Sequence, residues 1–226
     1  MGDITQNLAY INQAISVAAI KSGRSMSDIT LIGVTKSIDP GRIAQLIDAG
    51  VTQLGENRVQ DFLPKYEALL ETPPAAWHFI GHLQRNKVKY LINKVSMIHS
   101  VDSLALAQEI DKRAGNVNTV MDILVEINIA GEDSKHGLAP EEALPLVDKL
   151  ASLAHIRVKG LMCVAPFVEN PEENRRYFEK MHNVLLDINT RGQHNLTELS
   201  MGMSGDYTVA IEEGATMVRI GTALVE

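Results

Sequence analysis

One lysine stands where a reactive amine could do chemistry. Lys36 ends a run that begins at Leu31 and has five residues that are apolar or β-branched, a pattern that predicts a buried strand followed by a polar loop from Ser37. An ammonium held among apolar neighbours loses hydration, which favours the neutral amine, and a neutral amine can attack an aldehyde to form a Schiff base. The competing interpretation is that Lys36 extends from a strand end into solvent, as most lysines do.

Two stretches near the C-terminus have the composition of an anion-binding site. Arg219–Thr222 leaves the last predicted strand with an arginine and then two residues whose backbone amides can face a phosphate. Ser204 follows the preceding strand and adds a hydroxyl donor at the start of a helix. Ser200, Gly202 and Ser204 alternate along that strand, so they are predicted to share one face. Taken alone, either stretch also fits an ordinary strand end.

Together, the lysine and the two loops specify a phosphorylated aldehyde as the ligand. Pyridoxal phosphate is the commonest such partner of proteins. Arg219 and Gly221 lie two residues apart on one strand face, so the guanidinium is predicted to lie deeper than the phosphate, near the pyridine ring. The alternative for the same residues is a Schiff-base aldolase that uses Lys36 on a phosphorylated sugar, without pyridoxal.

The elements that must position these residues alternate between strands and helices. Apolar runs predict eight strands, over 31–36, 51–54, 77–80, 95–99, 120–127, 156–164, 196–204 and 217–220. A lead-in helix is predicted over 4–21, and other helices over 40–50, 83–94, from 102 onward, over 140–153, along a stripe from 177 to 188, and over 207–213. Near-continuous apolar strands separated by helices imply parallel pairing, so this α/β chain is predicted to form a single (β/α)8 barrel. A doubly wound open sheet is the alternative.

The barrel prediction agrees with where the candidate residues fall. Functional residues of such barrels lie just after the carboxyl ends of strands. Lys36 and Ser204 are the last residues of their predicted strands, and Asn57 and His82 come just after theirs. No linker rich in Pro, Ser or Gly divides the chain, so residues 1–226 are predicted to form one domain.

Charge and cysteine content exclude several classes of partner. The formal net charge of −7 argues against nucleic acid and against anionic membranes, because either would need a basic field. The only cysteine, Cys163, lies in an apolar run and reads as a buried structural thiol, which fits a cytoplasmic location. His78 and His82 are not expected to share a metal, because four strand residues separate them by roughly 13 Å at about 3.3 Å per residue.

Five motifs, in this order, resemble the pyridoxal phosphate homeostasis proteins. They are Thr35-Lys36, Gly55-Glu-Asn-Arg58, His78-Phe-Ile-Gly-His-Leu-Gln84, Leu199-Ser-Met-Gly-Met-Ser204 and Arg219-Ile-Gly-Thr222. These proteins are single-barrel relatives of the N-terminal domain of alanine racemase, so the resemblance implies a type III pyridoxal phosphate fold with an extra N-terminal helix. It covers the chain from the first helix to about Ala223.

The resemblance also implies roles for individual residues. It implies a Schiff base on Lys36, and phosphate contacts from Ser204, Gly221, Thr222 and Ser200. It places Arg219 at the pyridine nitrogen, with Asn57 and His82 along the cofactor face. No catalytic residue and no metal ligand are predicted.

The function predicted from these residues is cofactor binding without robust catalysis. Arg219 is a permanent cation that can only donate, so it would hold the pyridine nitrogen unprotonated and weaken the ring as an electron sink. Two-base racemisation needs a second acid-base residue, which alanine racemase takes from an additional domain that we do not expect in this chain. We therefore predict a monomer or weak dimer that stores, buffers or delivers pyridoxal phosphate to cofactor-dependent apo-enzymes. The alternative is a weak amino-acid racemase that uses Lys36 and His82 as bases.

Overall fold

The computed structural model describes residues 3–226 and contains a closed parallel barrel. Its eight strands pair in chain order, and the last pairs with the first, so no open edge remains. The strands are β1 Thr30–Val34, β2 Gln53–Glu56, β3 Ala76–Phe79, β4 Met97–Val101, β5 Met121–Ile127, β6 Ile156–Cys163, β7 Glu198–Met203 and β8 Met217–Ile220. The predicted (β/α)8 barrel is confirmed, and the open-sheet alternative is wrong.

Helices connect the strands around the outside of the barrel. They are α1 Ile4–Lys21, α2 Pro40–Asp48, α3 Val59–Ala68, α4 Leu104–Asn116, α5 Ala143–Leu150, α6 Arg175–Gly192, α7 Tyr207–Glu212 and α8 Thr222–Val225. Shorter 3-10 helices cover Met26–Asp28, Arg85–Tyr90, Pro140–Glu142 and Pro171–Asn174. The lead-in helix has the predicted bounds, and the Asp3 carboxylate caps it by accepting from the Thr5 amide at 2.9 Å.

Three connections differ from the sequence-based expectation. The helix predicted over 83–94 is a short 3-10 helix, and its buried Val88 lies three residues before the buried Leu91 that follows the helix, which matches three residues per turn. The pattern assigned no bounds to α3, which contains Pro64, a residue that disfavours helix interiors. A four-residue helix follows β8, where none was expected.

The core has two parts. The larger part lies between the barrel and its helices, and a smaller cluster fills the barrel interior with Ile32, Met97, Leu124, Met162 and Met217. Strand register places polar side chains in the same interior layer, since His78 pairs with Met97 and Ser200 pairs with both Met162 and Met217. A barrel interior that is partly polar has to satisfy those groups internally.

Two points concern the chain as a whole. Within residues 3–226, every helix is too short or too polar to cross a bilayer. The assignment of residues 1–226 to one domain stays a prediction.

Candidate functional site

The predicted site residues collect at one end of the barrel, which we call the mouth. Parallel strands bring their carboxyl ends to the same edge, and the residues just after β1, β2, β3, β7 and β8 therefore surround one opening. These residues are Lys36, Asn57, His82, Ser204, Gly221 and Thr222.

Lys36 itself is exposed, unlike the buried residue before it. Thr35 is 0% exposed, whereas the Lys36 side chain faces solvent. The expectation that apolar neighbours surround the Lys36 ammonium is therefore wrong, because the strand ends two residues earlier and the lysine emerges from it. The position is fixed by the backbone instead.

A buried carboxylate holds the residue before the lysine and the start of the loop after β2. Glu56 is fully buried and accepts hydrogen bonds from the Thr35 hydroxyl at 3.0 Å and from the Asn57 amide at 2.8 Å. It also pairs with Lys65 of α3 at 2.7 Å, and Lys65 donates to the Thr35 carbonyl at 2.7 Å. We call this group of four residues the Glu56 clamp. It fixes the backbone beside Lys36 and at Asn57 by direct contacts.

Asn57 and His82 are brought close by a glycine between them. A Cβ at Gly81 would lie 2.1 Å from the Asn57 carbonyl oxygen, so only glycine allows this approach. Asn57 is half-buried, and the His82 side chain is 42% exposed at the rim. Both can line the face of a ligand seated in the mouth.

The His82 ring stacks on a second histidine that the sequence analysis missed. Its centroid lies 3.9 Å from that of His136, with 13° between the planes, and the Asp102 carboxylate lies 3.9 Å from His82 Nδ1. These three residues offer ligand atoms within 4.8 Å of one another. However, nearly parallel rings direct their nitrogen lone pairs side by side rather than toward one ion. The prediction of no metal ligand stays a prediction.

The loops after β7 and β8 form an anion-binding geometry. The backbone amides of Gly221 and Ala223 both donate to the Ser204 hydroxyl, at 3.3 and 3.4 Å. Gly202 has φ +89°, and a Cβ there would lie 2.6 Å from the Ala210 Cβ, so a glycine is needed for β7 to turn toward this point. Two long hydrogen bonds to one hydroxyl leave amide donors that a phosphate oxygen can use, which fits a phosphorylated ligand. The Thr222 side chain is exposed beside them.

Arg219 lies deeper than this loop. It is 4% exposed and donates to the Ser200 hydroxyl at 2.6 Å and to the Cys163 carbonyl at 2.8 Å. Burial lowers the pKa of Arg219 from its ordinary value. Ser200 is fully buried and engaged with Arg219, whereas Ser204 is half-buried. The phosphate contact expected from Ser200 stays a prediction.

Two buried histidines continue from Ser200 through the barrel. His99 Nδ1 lies 3.0 Å from the Ser200 hydroxyl, His78 Nδ1 lies 2.9 Å from His99 Nε2, and Gln53 Oε1 lies 2.8 Å from His78 Nε2. Burial lowers the pKa of His78 to about 4. The pKa of His99 lies well below its ordinary value, chiefly because of burial and then because of His78 and Arg219. Both imidazoles are therefore neutral at physiological pH.

One buried carboxyl at the mouth has an unused oxygen. Glu126, near the end of β5, is 8% exposed, and within residues 3–226 its Oε2 has no hydrogen-bond partner. Burial, and then the charge of Asp102, raise the pKa of Glu126 to about 7. The neighbouring thiol of Cys163 is fully buried, and burial raises its pKa to about 12, so the interpretation as an unreactive structural thiol agrees with the structure.

The chain is similar in sequence to known proteins over nearly its whole length. Residues 18–226 match the family described as alanine racemase, N-terminal domain. A protein of Aquifex aeolicus (strain VF5) named pyridoxal phosphate homeostasis protein is 45% identical over 219 residues, which cover 97% of this chain and 96% of that protein. This chain belongs to the pyridoxal phosphate homeostasis protein family.

Solved structures agree with this membership. PipY of Synechococcus elongatus PCC7942, solved with pyridoxal phosphate bound, is 31% identical and superposes with a TM-score of 0.87 over 99% of this chain and 100% of that chain. Alanine racemase of Clostridium difficile 630 gives a TM-score of 0.71 at 21% identity, over 97% of this chain and 56% of that one. The second likeness shows a shared barrel fold.

This member of the homeostasis protein family has site residues that its sequence did not reveal. His99, Glu126 and His136 contact or face predicted site residues, and Lys65 holds Thr35, the residue before Lys36. Glu126 and His99 lie inside predicted strands, where a polar residue in an apolar run is a usable signal. Lys65 and His136 lie in a helix and a loop that carry no such signal.

Proposed function

We propose that this chain binds pyridoxal phosphate at the mouth, with Lys36 holding the aldehyde carbon as a Schiff base. The main support is one observation. Lys36 and the converging amides of Gly221 and Ala223 follow neighbouring strands, since β1 pairs with β8. An amine and an anion-binding loop on adjacent strands suit a ligand with an aldehyde at one end and a phosphate at the other. The bound cofactor of PipY supports the same assignment.

Each remaining residue has a role in this proposal. Ser204 and Thr222 donate hydroxyls to the phosphate beside the amide of Gly221. The Arg219 guanidinium donates to the pyridine nitrogen from below and keeps that nitrogen unprotonated, because arginine cannot give up its proton. Asn57 and His82 line the open face of the ring.

We propose storage, buffering or delivery of the cofactor as the biological role, rather than efficient turnover. Lys36, His82 and Thr222 are exposed, so the mouth is open to water. Pyridoxal phosphate supplies an aldehyde that reacts reversibly with amines. Enzymes that use such chemistry efficiently exclude water from the site, and an open mouth instead favours exchange of the cofactor. The name of the Aquifex aeolicus relative supports this role.

Absorption spectroscopy tests the binding proposal. Titration of the purified chain with pyridoxal phosphate is expected to produce a visible Schiff-base band that Lys36→Ala lacks. Lys135→Ala is the matched control, since Lys135 also lies at the mouth, where it donates to the Ala165 carbonyl at 3.1 Å. A band that survives in Lys36→Ala, or that is lost in Lys135→Ala alone, contradicts the proposal.

A transfer assay tests delivery. The loaded chain is mixed with a pyridoxal phosphate-dependent apo-enzyme, with a scavenger of free cofactor present, and recovery of enzyme activity is followed. Recovery faster than from the same amount of free cofactor is expected. If enzyme activity does not recover in the presence of the scavenger, delivery is contradicted, and storage or buffering of the cofactor is the role that stands.

The racemase alternative has a separate test. The fold shared with alanine racemase is the observation that keeps it open. Incubation of the loaded chain with L-amino acids in deuterated water is expected to leave the α-proton unexchanged. Exchange that Lys36→Ala abolishes supports the racemase instead.

A further inference from the structure

We infer that Gln53, His78, His99 and Ser200 form a hydrogen-bonded relay that orients Arg219 toward the pyridine nitrogen. The two histidines are thereby positioning residues for the cofactor, although they lie too deep to touch it. The inference rests on the proposed function and adds to it the interior residues that aim the guanidinium.

The relay is continuous, and its four residues from His78 to Arg219 are buried. Four successive contacts of 2.8, 2.9, 3.0 and 2.6 Å join Gln53, His78, His99, Ser200 and Arg219. His99 and Ser200 are 0% and His78 and Arg219 are 4% exposed, so solvent cannot substitute for a missing partner between His78 and Arg219, whereas Gln53 is half-buried. A broken contact therefore leaves a buried polar atom unpaired, which is costly.

The donors and acceptors of the relay all point one way. At one end, Arg219 can only donate, so the Ser200 oxygen accepts from it and the Ser200 O–H is free to donate to His99 Nδ1. A neutral His99 then donates from Nε2 to His78 Nδ1. A neutral His78 donates from Nε2 to Gln53 Oε1, which accepts. The direction of donation that starts at Arg219 therefore ends correctly on an acceptor, the Gln53 Oε1 atom.

This direction depends on the histidines staying neutral. A proton on His99 would put a donor against the Ser200 O–H and a second cation beside Arg219. The groups that face Arg219 besides His99 are Cys163, Glu126 and Asp206. Burial keeps the thiol protonated and keeps the pKa of Glu126 near neutrality, so neither pairs fully with the guanidinium. The relay and the Cys163 carbonyl are then what fix the guanidinium plane.

The consequence for the cofactor is orientation. Arginine has five N–H donors, and Ser200 and Cys163 use one on each terminal nitrogen. The remaining donors point away from these partners, and one of them is available for the pyridine nitrogen. Without His99, the Ser200 hydroxyl can turn, and the guanidinium loses one of its two fixed contacts.

The test compares two variants of His99 in the full chain loaded with pyridoxal phosphate labelled with ¹⁵N in the ring. His99→Phe keeps an aromatic ring but removes both nitrogens. His99→Asn keeps an acceptor near the Nδ1 position for the Ser200 hydroxyl. Met162→Leu is the control for a change in the same interior layer without a hydrogen bond. The readouts are the ¹⁵N chemical shift of the ring and the rate of cofactor release.

In His99→Phe, the ring ¹⁵N resonance is expected to move or broaden, and cofactor release to become roughly tenfold faster, the factor expected for about one net hydrogen bond. His99→Asn and Met162→Leu are expected to stay near wild type. If His99→Phe does not fold, Ser200→Ala takes its place as the broken relay, with His99→Asn as its comparison.

The outcomes separate the relay from the proposed function. If the wild-type chain gives no Lys36-dependent band, the proposed function fails and the relay inference fails with it. If the wild-type chain binds through Lys36, but the broken-relay variant keeps the wild-type ¹⁵N shift and release rate, the relay is overturned alone. If His99→Phe and His99→Asn both change the ¹⁵N shift and the release rate, the role of His99 is packing, and the relay inference is also overturned.

Discussion

The two sides of the mouth hold their residues by different means. On the side of β1 and β2, the Glu56 clamp fixes the backbone with a buried ion pair whose side chains are 0% and 11% exposed. On the side of β7 and β8, backbone amides converge on Ser204 through hydrogen bonds of 3.3 and 3.4 Å. The first side is satisfied by the protein alone, whereas the second has donors that an anion can use.

This difference indicates what each side has to do. A lysine that forms a covalent bond needs a fixed position, because misplacement of a reacting group is costly to reaction rate. A phosphate brings two negative charges of its own and can complete a loosely bonded group of donors. Changes on the lysine side should therefore affect folding, and changes on the phosphate side should affect cofactor affinity.

The largest effect is expected from breaking the Glu56 clamp. Lys65→Met leaves the buried Glu56 carboxylate without its cation, which typically costs about 3–5 kcal/mol of stability. Urea unfolding measures it. Lys21→Met is the matched control, because the Lys21 side chain is 64% exposed in its pair with Glu212, and exposed pairs contribute less than about 1 kcal/mol. Equal losses in the two variants would remove the distinction between the two sides.

A smaller and pH-dependent effect is expected at Glu126. The pKa of this carboxyl is about 7 in the folded chain, against the ordinary value of 4.5. Because the folded pKa is raised, the folded state loses stability as pH rises from 4.5 through 7, by about 3 kcal/mol at most. Glu126→Gln is therefore expected to match wild type near pH 5 and to be more stable at pH 8.

The control for this pH dependence is Glu141→Gln, an exposed carboxyl in a 3-10 helix. Its stability difference from wild type should be flat with pH. A Glu126→Gln variant with an equally flat difference would contradict the raised pKa. Addition of pyridoxal phosphate at pH 8 would sharpen the comparison, by showing whether a ligand uses the Oε2 atom that the protein leaves unpaired.

The smallest effect is expected at the phosphate side. Ser204→Ala removes one hydroxyl but leaves the amides of Gly221 and Ala223, so cofactor affinity should fall by roughly fivefold with stability nearly unchanged. Ser152 is exposed and precedes β6, whereas the mouth residues follow strands, so Ser152→Ala should change neither cofactor affinity nor stability. A loss of stability as large as that of Lys65→Met would mean that this side, too, is part of the structural framework.

The sequence predicted the barrel and much of the mouth for a physical reason. Strand periodicity and glycine-ended helices are local properties, and in a parallel barrel they place Lys36, Ser204 and Gly221 at one end. Contacts across the barrel are not local. His99 and Ser200 are 101 residues apart in sequence, so only closure of the sheet brings them together.

Local signals failed where tertiary contacts decided the outcome. Lys36 looked buried because its strand is apolar, but the strand ends at Val34 and the side chain is exposed. Ser200 and Ser204 alternate along β7 and were expected to share one face, yet the pairing of β7 with β8 shifts register between Ser200 and Met203. That shift separates the buried serine from the half-buried one.

The central claim is that one amine at the mouth captures the cofactor. Borohydride reduction of the loaded chain, followed by peptide mass mapping, tests ligand and residue together. We expect the mass of a reduced phosphopyridoxyl group on the peptide that contains Lys36 and on no other lysine peptide. A modification spread over exposed lysines, or confined to Lys135, would contradict the account.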